Sequence, residues 1–247
     1  MFAQRKGSTM FDSSVINLLL VATIAGLAMP VGAMLSTRKS IQPQWLEQEL
    51  RHGILALGAG ALISAVGLVL VPKGAMDLSV FGVVACFVSG SLAFMSLDIF
   101  LAKKKTAGSQ LAAMLSDFVP ESIALGATAA LGGSTLLLGA LIAVQNLPEG
   151  FNAYREMLPK NKKRSNKLII TFVLMALLGP IFSLIGYFFL SQFPVITSGI
   201  MLFAAGGILY SVFQDIAPQI RMENHWLPPL GGILGFLVGV VGYMLES

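Results

Sequence analysis

Charged residues, cysteine and histidine are all scarce in this chain of 247 residues. Charged residues make up 11% of the sequence and hydrophobic residues 55%, whereas a soluble domain carries about 25% charged residues. The mean hydropathy of +0.81 excludes an ordinary water-soluble fold. The single cysteine, Cys86, excludes a disulfide framework and a thiolate metal cluster. The two histidines, His52 and His225, lie at predicted helix ends or in connections.

The apolar residues form long continuous runs without the period-two alternation of membrane strands, which predicts transmembrane helices. A helix crosses the hydrocarbon core with about 20 residues. We therefore predict an all-α polytopic membrane protein with a single transmembrane domain, 1–247, and short connections. The eight predicted spans are 13–35, 52–72, 78–100, 109–131, 134–154, 168–191, 196–218 and 228–245.

The placement of lysine and arginine predicts the orientation in the membrane. The side of the N-terminus holds Arg5, Lys6 and Lys73, and the opposite side holds the remaining thirteen of the sixteen basic residues. Because basic connections stay in the cytoplasm, we expect both termini outside, in the plasma membrane or the inner membrane of a bacterium. The net charge of +4 is explained by this placement, so no nucleic-acid partner is expected. The expected surroundings are the lipid bilayer, and a homodimer is possible.

The two halves of the sequence resemble each other around a central pair of spans. Gly60 precedes Pro72 by twelve residues, and Gly206 precedes Pro218 by the same distance. Spans one to three are therefore predicted to repeat as spans six to eight, in a 3+2+3 arrangement with inverted copies. Inverted repeats are typical of transporters whose substrate site lies near the bilayer midplane. The alternative is the general recurrence of small residues in membrane helices.

Five acidic residues fall within predicted spans, where a charge costs roughly 2.5–3.5 kcal/mol at the bilayer centre and commonly marks a functional site. Asp98 and Asp215 lie near span ends, where solvation, pairing or capping is the simpler role, although Asp215 also suits an exit-side ligand. Asp117, Glu121 and Glu149 lie deep inside spans four and five.

The deep acids share their helix faces with amides. Asp117 and Glu121 are spaced i, i+4, as are Gln145 and Glu149, and each glutamate directly follows a proline. Because spans four and five contain no lysine or arginine, a bound cation or protonation must neutralise the carboxyl groups. Oxygen ligands suit the harder divalent ions. We predict a metal site of Asp117, Glu121, Gln145, Asn146 and Glu149; the alternative is protonated carboxyl groups that join two kinked helices.

Two segments carry a family resemblance. Residues 145–150 read Gln-Asn-Leu-Pro-Glu-Gly, and residues 117–122 read Asp-Phe-Val-Pro-Glu-Ser. They resemble the pattern His-Asn-x-Pro-Glu-Gly that the ZIP (zinc/iron permease-like) family of divalent metal transporters carries on its fourth helix and nearly repeats on its fifth. The resemblance implies a divergent member with eight spans, outside termini and the 3+2+3 arrangement.

The resemblance also implies individual roles. Glu121 and Glu149 match the family's bridging carboxylates, and Asn146 matches the amide of the fifth helix. Asp117 and Gln145 stand where the family has histidines, and both retain oxygen donors. The implied substrate is a divalent ion of the zinc, iron or manganese class, and no cofactor is implied.

Two residues depart from the family pattern. Phe118 replaces an asparagine and cannot bind metal, and Gly179 stands where the sixth helix of many members has a glutamate. The implied site has fewer ligands than a two-metal site, which leaves zinc selectivity and the retention of transport open.

The expected function is a metal carrier that works toward the cytoplasm, as the resemblance implies. The alternative is a non-transporting membrane sensor or scaffold that has lost part of the metal site. An intramembrane hydrolase is disfavoured, because neither histidine lies deep and amides stand beside the acids. We therefore expect no enzymatic activity.

Overall fold

The computed structural model describes residues 13–37, 44–103, 107–131, 133, 135–158, 164–190, 192–220 and 226–246. All regular structure within these ranges is helical, without any strand, so the predicted all-α class is confirmed. Arg5, Lys6, His225 and the predicted span ends Ser134 and Ser191 lie outside the described ranges, as do some of the thirteen basic residues on the opposite side, among them Lys104, Lys105 and those of segment 159–163.

Eight helical rods make up the described part of the chain. Their bounds are α1 Ser13–Ser36; α2 Gln44–Ala65, continued by a π-helical turn Val66–Leu70 and by Val71–Gly74; α3 Val80–Ala102; α4 Ala107–Ala130; α5 Thr135–Met157; α6 Asn166–Ala176 with Leu178–Ile185 and a π-helical turn Gly186–Leu190; α7 Pro194–Ser211 with a π-helical turn Val212–Ile216 and Ala217–Ile220; and α8 Pro228–Glu246.

Each predicted span corresponds to one rod. The ends agree within three residues except at the start of α2, which begins at Gln44 rather than at residue 52. The additional turns contain Gln, Glu and Arg, which are good helix formers but do not belong to an apolar run. Hydropathy therefore places the apolar part of α2 and misses its polar extension.

Six of the rods are long and apolar enough to cross a membrane: α1, residues Glu49–Gly74 of α2, α3, α6, α7 and α8. The chain is accordingly a multi-pass membrane protein. Helices α4 and α5 are similarly long, with 24 and 23 residues, but they carry more polar side chains. These two are the helices that contain the deep acids.

The rods pack in a definite set of pairs. Helix α1 packs along α5 and α6, α2 along α8, α7 and α5, α3 along α7, and α4 along α6 and α7. Glycines permit close approaches between the rods, as at Gly60 and Gly206. A Cβ atom at Gly60 would overlap the carbonyl oxygen of Gly232 in α8, and one at Gly206 would overlap that of Phe87 in α3. Most apolar side chains of α3 and α8 remain exposed, which suits contact with lipid.

Candidate metal site

An acidic cavity of about 340 Å³ enters the bundle between α2, α3, α4, α5 and α7. Its described lining contains the acidic residues Asp98, Asp117, Glu149, Glu156 and Asp215 and neither lysine nor arginine. The lining also includes the amides Gln145, Asn152 and Gln219. A cavity with such a lining attracts cations and repels anions.

The acidic residues divide into a deep pair and a group near the mouth. Asp117 is ten residues from the start of α4, about 15 Å along its axis, and Glu149 is eight residues from the end of α5, about 12 Å. Asp98, Glu156 and Asp215 lie within a few residues of the C-terminal ends of α3, α5 and α7. The mouth is therefore where these three helices end, and the deep end lies near the middle of the bundle.

Glu121 lies behind the cavity rather than at its wall. Its side chain is 3% exposed, and it is not among the described lining residues. The Nε2 atom of Gln145 donates to both of its carboxylate oxygens, at 2.6 and 2.5 Å. Gln145 itself lines the cavity and is 5% exposed. The Oε1 atom of Gln145 is buried and has no hydrogen-bond partner within the described residues.

Asn146 faces a different neighbour. It is fully buried, and its Nδ2 atom donates to the carbonyl oxygen of Ala25 in α1, at 2.9 Å. Asn146 is absent from the described lining of the cavity. Its amide therefore joins α5 to α1, while the neighbouring Gln145 joins α5 to α4. The Oδ1 atom of Asn146 has no partner in the described part of the chain.

Helix α7 supplies hydroxyl donors to two cavity acids. Ser211 donates to Oδ1 of Asp117 at 3.2 Å, and Tyr210 donates to Oδ2 of Asp98 at 3.3 Å. Both donors lie just before the π-helical turn of α7. Asp117 is thus positioned by α7 as well as by its own helix.

The three deep carboxyl groups, those of Asp117, Glu121 and Glu149, lie close enough to interact electrostatically. They do not form a closed coordination sphere, because no group of three or more His, Cys, Asp or Glu side chains in the described ranges converges enough to hold a metal ion. Amide oxygens extend the set of possible ligands. Asn152, a lining residue, has a buried Oδ1 atom without a partner among the described residues, as does Gln145 at Oε1. These donors fit a cation bound by oxygen atoms.

Phe118 and Gly179 pack against each other. The Phe118 ring is 1% exposed, and a Cβ atom at Gly179 would lie 2.8 Å from its Cζ atom and 3.1 Å from the carbonyl oxygen of Ala22. An aromatic ring thus fills the space between α4 and α6 that a larger residue at position 179 would need.

The structure brings Asp117, Gln145 and Glu149 to one cavity, with Glu121 hydrogen-bonded to Gln145. Sequence reasoning missed several polar residues of this neighbourhood, among them Asn152 and Ser211. Asn152 could have been predicted from the sequence, because it lies three residues after Glu149 and seven after Gln145, on the same helix face. Ser211 could not, since its contact with Asp117 joins residues that are 94 positions apart.

Comparisons with known proteins add no relative. No protein-family model matches the chain, and no curated protein matches it. The resemblance to the ZIP family therefore rests on the two motif segments and the order of the helices.

Proposed function

We propose that the chain is a carrier that moves divalent metal ions across a membrane toward the cytoplasm. One observation carries the proposal: a cavity whose described lining is acidic and without basic residues reaches Asp117 and Glu149 near the middle of the helix bundle. Buried carboxylates in a membrane protein commonly mark an ion pathway. The resemblance of segments 117–122 and 145–150 to the ZIP pattern supports the same function.

The packing pairs support an inverted 3+2+3 repeat in which all eight rods cross the membrane. If α1 is exchanged with α6, α2 with α7, α3 with α8 and α4 with α5, every main packing pair becomes an observed pair, and the pairs α1–α6 and α2–α7 become themselves. The π-helical turns Val66–Leu70 and Val212–Ile216 also correspond, each ending two residues before a proline. A pair of related three-helix units around α4 and α5 is the arrangement expected of an alternating-access carrier.

The cavity mouth supports the proposed orientation. It lies at the ends of α3 and α5, next to the basic residues Lys103 and Arg155. Because basic residues accumulate on the cytoplasmic side, we propose that the cavity opens to the cytoplasm and that the termini lie outside. A plasma membrane, or the inner membrane of a bacterium, is the corresponding location.

We propose transport rather than catalysis. The carboxylates are accompanied by Gln145 and Asn152, and carboxamides serve as metal ligands but not as general acids or bases. The proposed substrate is a divalent ion of the zinc, iron or manganese class, and no cofactor is required.

Uptake of Mn²⁺ and Zn²⁺ into proteoliposomes tests this function. Glu149→Gln should lower the uptake rate about tenfold or more, because it removes a deep charged ligand. Asp77→Asn is the matched control: Asp77 accepts a hydrogen bond from Ser198 in the turn before α3, at the opposite end of α3 from the mouth. Equal, negligible uptake by the original protein and Glu149→Gln, both monodisperse in detergent, contradicts the carrier function.

A second function, a non-transporting sensor or scaffold, is favoured by a specific contact. Gln145 occupies both oxygens of Glu121, and no three carboxyl groups converge within the described residues. A sensor of this kind would bind Mn²⁺ in equilibrium dialysis and show no uptake in the same proteoliposomes.

A further inference from the structure

We propose that the cavity holds one divalent ion at a time on oxygen ligands, that Gln145 is one of these ligands, and that Glu121 is the positioning residue that orients it. The proposal rests on the proposed metal site and names its stoichiometry, its ligand class and the role of Glu121.

The first step concerns the orientation of the Gln145 amide. Its Nε2 atom is held by both carboxylate oxygens of Glu121, so the direction of Oε1 is fixed as well. That oxygen is buried and has no partner among the described residues. A buried polar atom without a hydrogen-bond partner is unfavourable. A cation in the adjoining cavity, which Gln145 lines, is a partner that removes this cost.

The second step concerns Glu121 itself. Both of its oxygens already accept from Gln145, and it does not belong to the described lining. Because Glu121 is 3% exposed and lies behind the cavity wall, an ion in the cavity reaches Gln145 rather than Glu121. Residues that hold a metal ligand in place through a hydrogen bond are common in metal sites and affect metal affinity without touching the ion. Glu121 has this geometry toward Gln145.

The third step concerns the number of ions. On the side of α4 that faces α6, the Phe118 ring packs against Gly179, so that space is apolar and filled. The oxygen donors that remain at depth are Asp117, Glu149 and the amides Gln145 and Asn152. The two deep lining carboxylates balance the charge of one divalent ion, and the other lining acids, Asp98, Glu156 and Asp215, lie nearer the mouth, at the C-terminal ends of their helices.

The chemistry of these donors indicates the class of ion. Carboxylate and carboxamide oxygens favour hard or borderline ions such as Mn²⁺, whereas imidazole and thiolate ligands favour Zn²⁺ and Cu²⁺. Neither histidine nor cysteine lines the described cavity. Mn²⁺ is therefore the appropriate probe, with Zn²⁺ for comparison.

Equilibrium dialysis of the purified full chain, with free Mn²⁺ measured by electron paramagnetic resonance, tests the proposal. We expect one Mn²⁺ per chain. Glu121→Asp keeps the charge but shortens the side chain and breaks its contact with Gln145, so affinity should fall about tenfold. Gln145→Ala should weaken binding similarly. In the Gln145→Ala background, Glu121→Asp should have almost no further effect. Asp77→Asn should bind as the original protein does.

Several results would overturn the proposal. Binding of two ions per chain contradicts the single site. An equal loss from Glu121→Asp with and without Gln145→Ala would make Glu121 a direct ligand. Where Gln145→Ala does not yield folded protein, Gln145→His replaces it: a nitrogen donor at a ligand position should raise the affinity for Zn²⁺ relative to Mn²⁺. An unchanged ratio would show that Gln145 does not bind the ion.

The outcomes separate this proposal from transport. One bound Mn²⁺ and the expected dependence of Glu121→Asp on Gln145, without any uptake, support the site and refute the carrier. Two results together support the carrier and refute the role of Glu121. Uptake is lost in Glu149→Gln, and Glu121→Asp lowers the affinity equally with and without Gln145→Ala. Absence of Mn²⁺ binding by the original protein refutes both.

Discussion

Helices α4 and α5 carry the same Pro-Glu pair and use it differently. On α5, Glu149 lines the acidic cavity. On α4, Glu121 is buried behind the cavity wall and accepts two hydrogen bonds from Gln145. In the proposed inverted repeat, α4 and α5 are equivalent helices. They carry two chemically different copies of one motif.

Asn146 and Phe118, which lie three positions before Glu149 and Glu121, also differ in their contacts. On α5, Asn146 donates to the carbonyl oxygen of Ala25 in α1. On α4, the Phe118 ring packs against Gly179 in α6. Each residue joins its helix to the neighbour with which that helix is paired, one through a polar contact and one through an apolar contact. Helix α4 thus contributes one proposed ligand, Asp117, and the supporting residue Glu121, whereas α5 contributes the proposed ligands Gln145, Glu149 and Asn152.

The largest effect is expected from breaking the apolar contact between Phe118 on α4 and Gly179 on α6. Phe118→Ala leaves a cavity beside Gly179, and we expect the free energy of unfolding to fall by about 3 kcal/mol. This is the lower end of the range for soluble cores, because lipid provides little hydrophobic driving force between helices. Thermal unfolding in detergent measures the loss. Phe189→Ala, at a ring that is 68% exposed, is the control and should change stability by less than about 0.5 kcal/mol. Equal melting temperatures for both variants would show that the Phe118 ring contributes no packing.

The next largest effect is expected at Gly150, which follows Glu149, and it can be compared with Ser122, which follows Glu121. A Cβ atom at Gly150 would overlap the carbonyl oxygen of Met29, so Gly150→Ala should separate α5 from α1 and cost about 1–3 kcal/mol. On α4 the equivalent residue, Ser122, already has a Cβ atom. Its hydroxyl donates to the carbonyl oxygen of Phe118 within the same helix, at 2.8 Å. Ser122→Ala should therefore cost less than Gly150→Ala, because a serine hydroxyl bonded to the i−4 carbonyl of its own helix does not stabilise that helix. Similar melting temperatures for the two variants would contradict the close approach of α1 and α5.

A smaller effect on stability is expected at Asn146, and it should distinguish this amide from its neighbour Gln145 on α5. Asn146→Ala removes the hydrogen bond to Ala25 and should lower stability by about 1 kcal/mol. Its affinity for Mn²⁺ should stay close to that of the original protein, because Asn146 is not in the described cavity lining. Equilibrium dialysis of Asn146→Ala and Gln145→Ala in parallel compares their affinities for Mn²⁺. A loss as large as that of Gln145→Ala would instead support the prediction from the sequence that Asn146 is a metal ligand.

The sequence predicted the helices well because long apolar runs have few other solutions in a membrane. It also selected Asp117 and Glu149, whose depth follows from their position in the runs. It treated Gln145 and Asn146 as parts of one site, although consecutive residues of a helix point about 100° apart. This angle follows from the predicted helix. The sequence does not show, however, that Asn146 faces α1 and Gln145 faces α4. The contact between Gln145 and Glu121 depends on how α4 and α5 are turned toward each other, which no local pattern specifies.

The smallest expected effect concerns the ligand that α4 still provides. Ser211→Ala removes the donor at 3.2 Å from Oδ1 of Asp117. A hydrogen bond between membrane helices contributes about 0.6 kcal/mol, so the affinity for Mn²⁺ should fall about threefold. The loss is small because a carboxylate keeps several lone pairs for the ion. Tyr210→Phe removes the matching donor to Asp98 and should leave affinity unchanged, since Asp98 belongs to the group of acids near the mouth rather than to the proposed deep ligands. If Tyr210→Phe weakened Mn²⁺ binding more than Ser211→Ala, the ion would have to bind at the mouth, and α4 would contribute support alone.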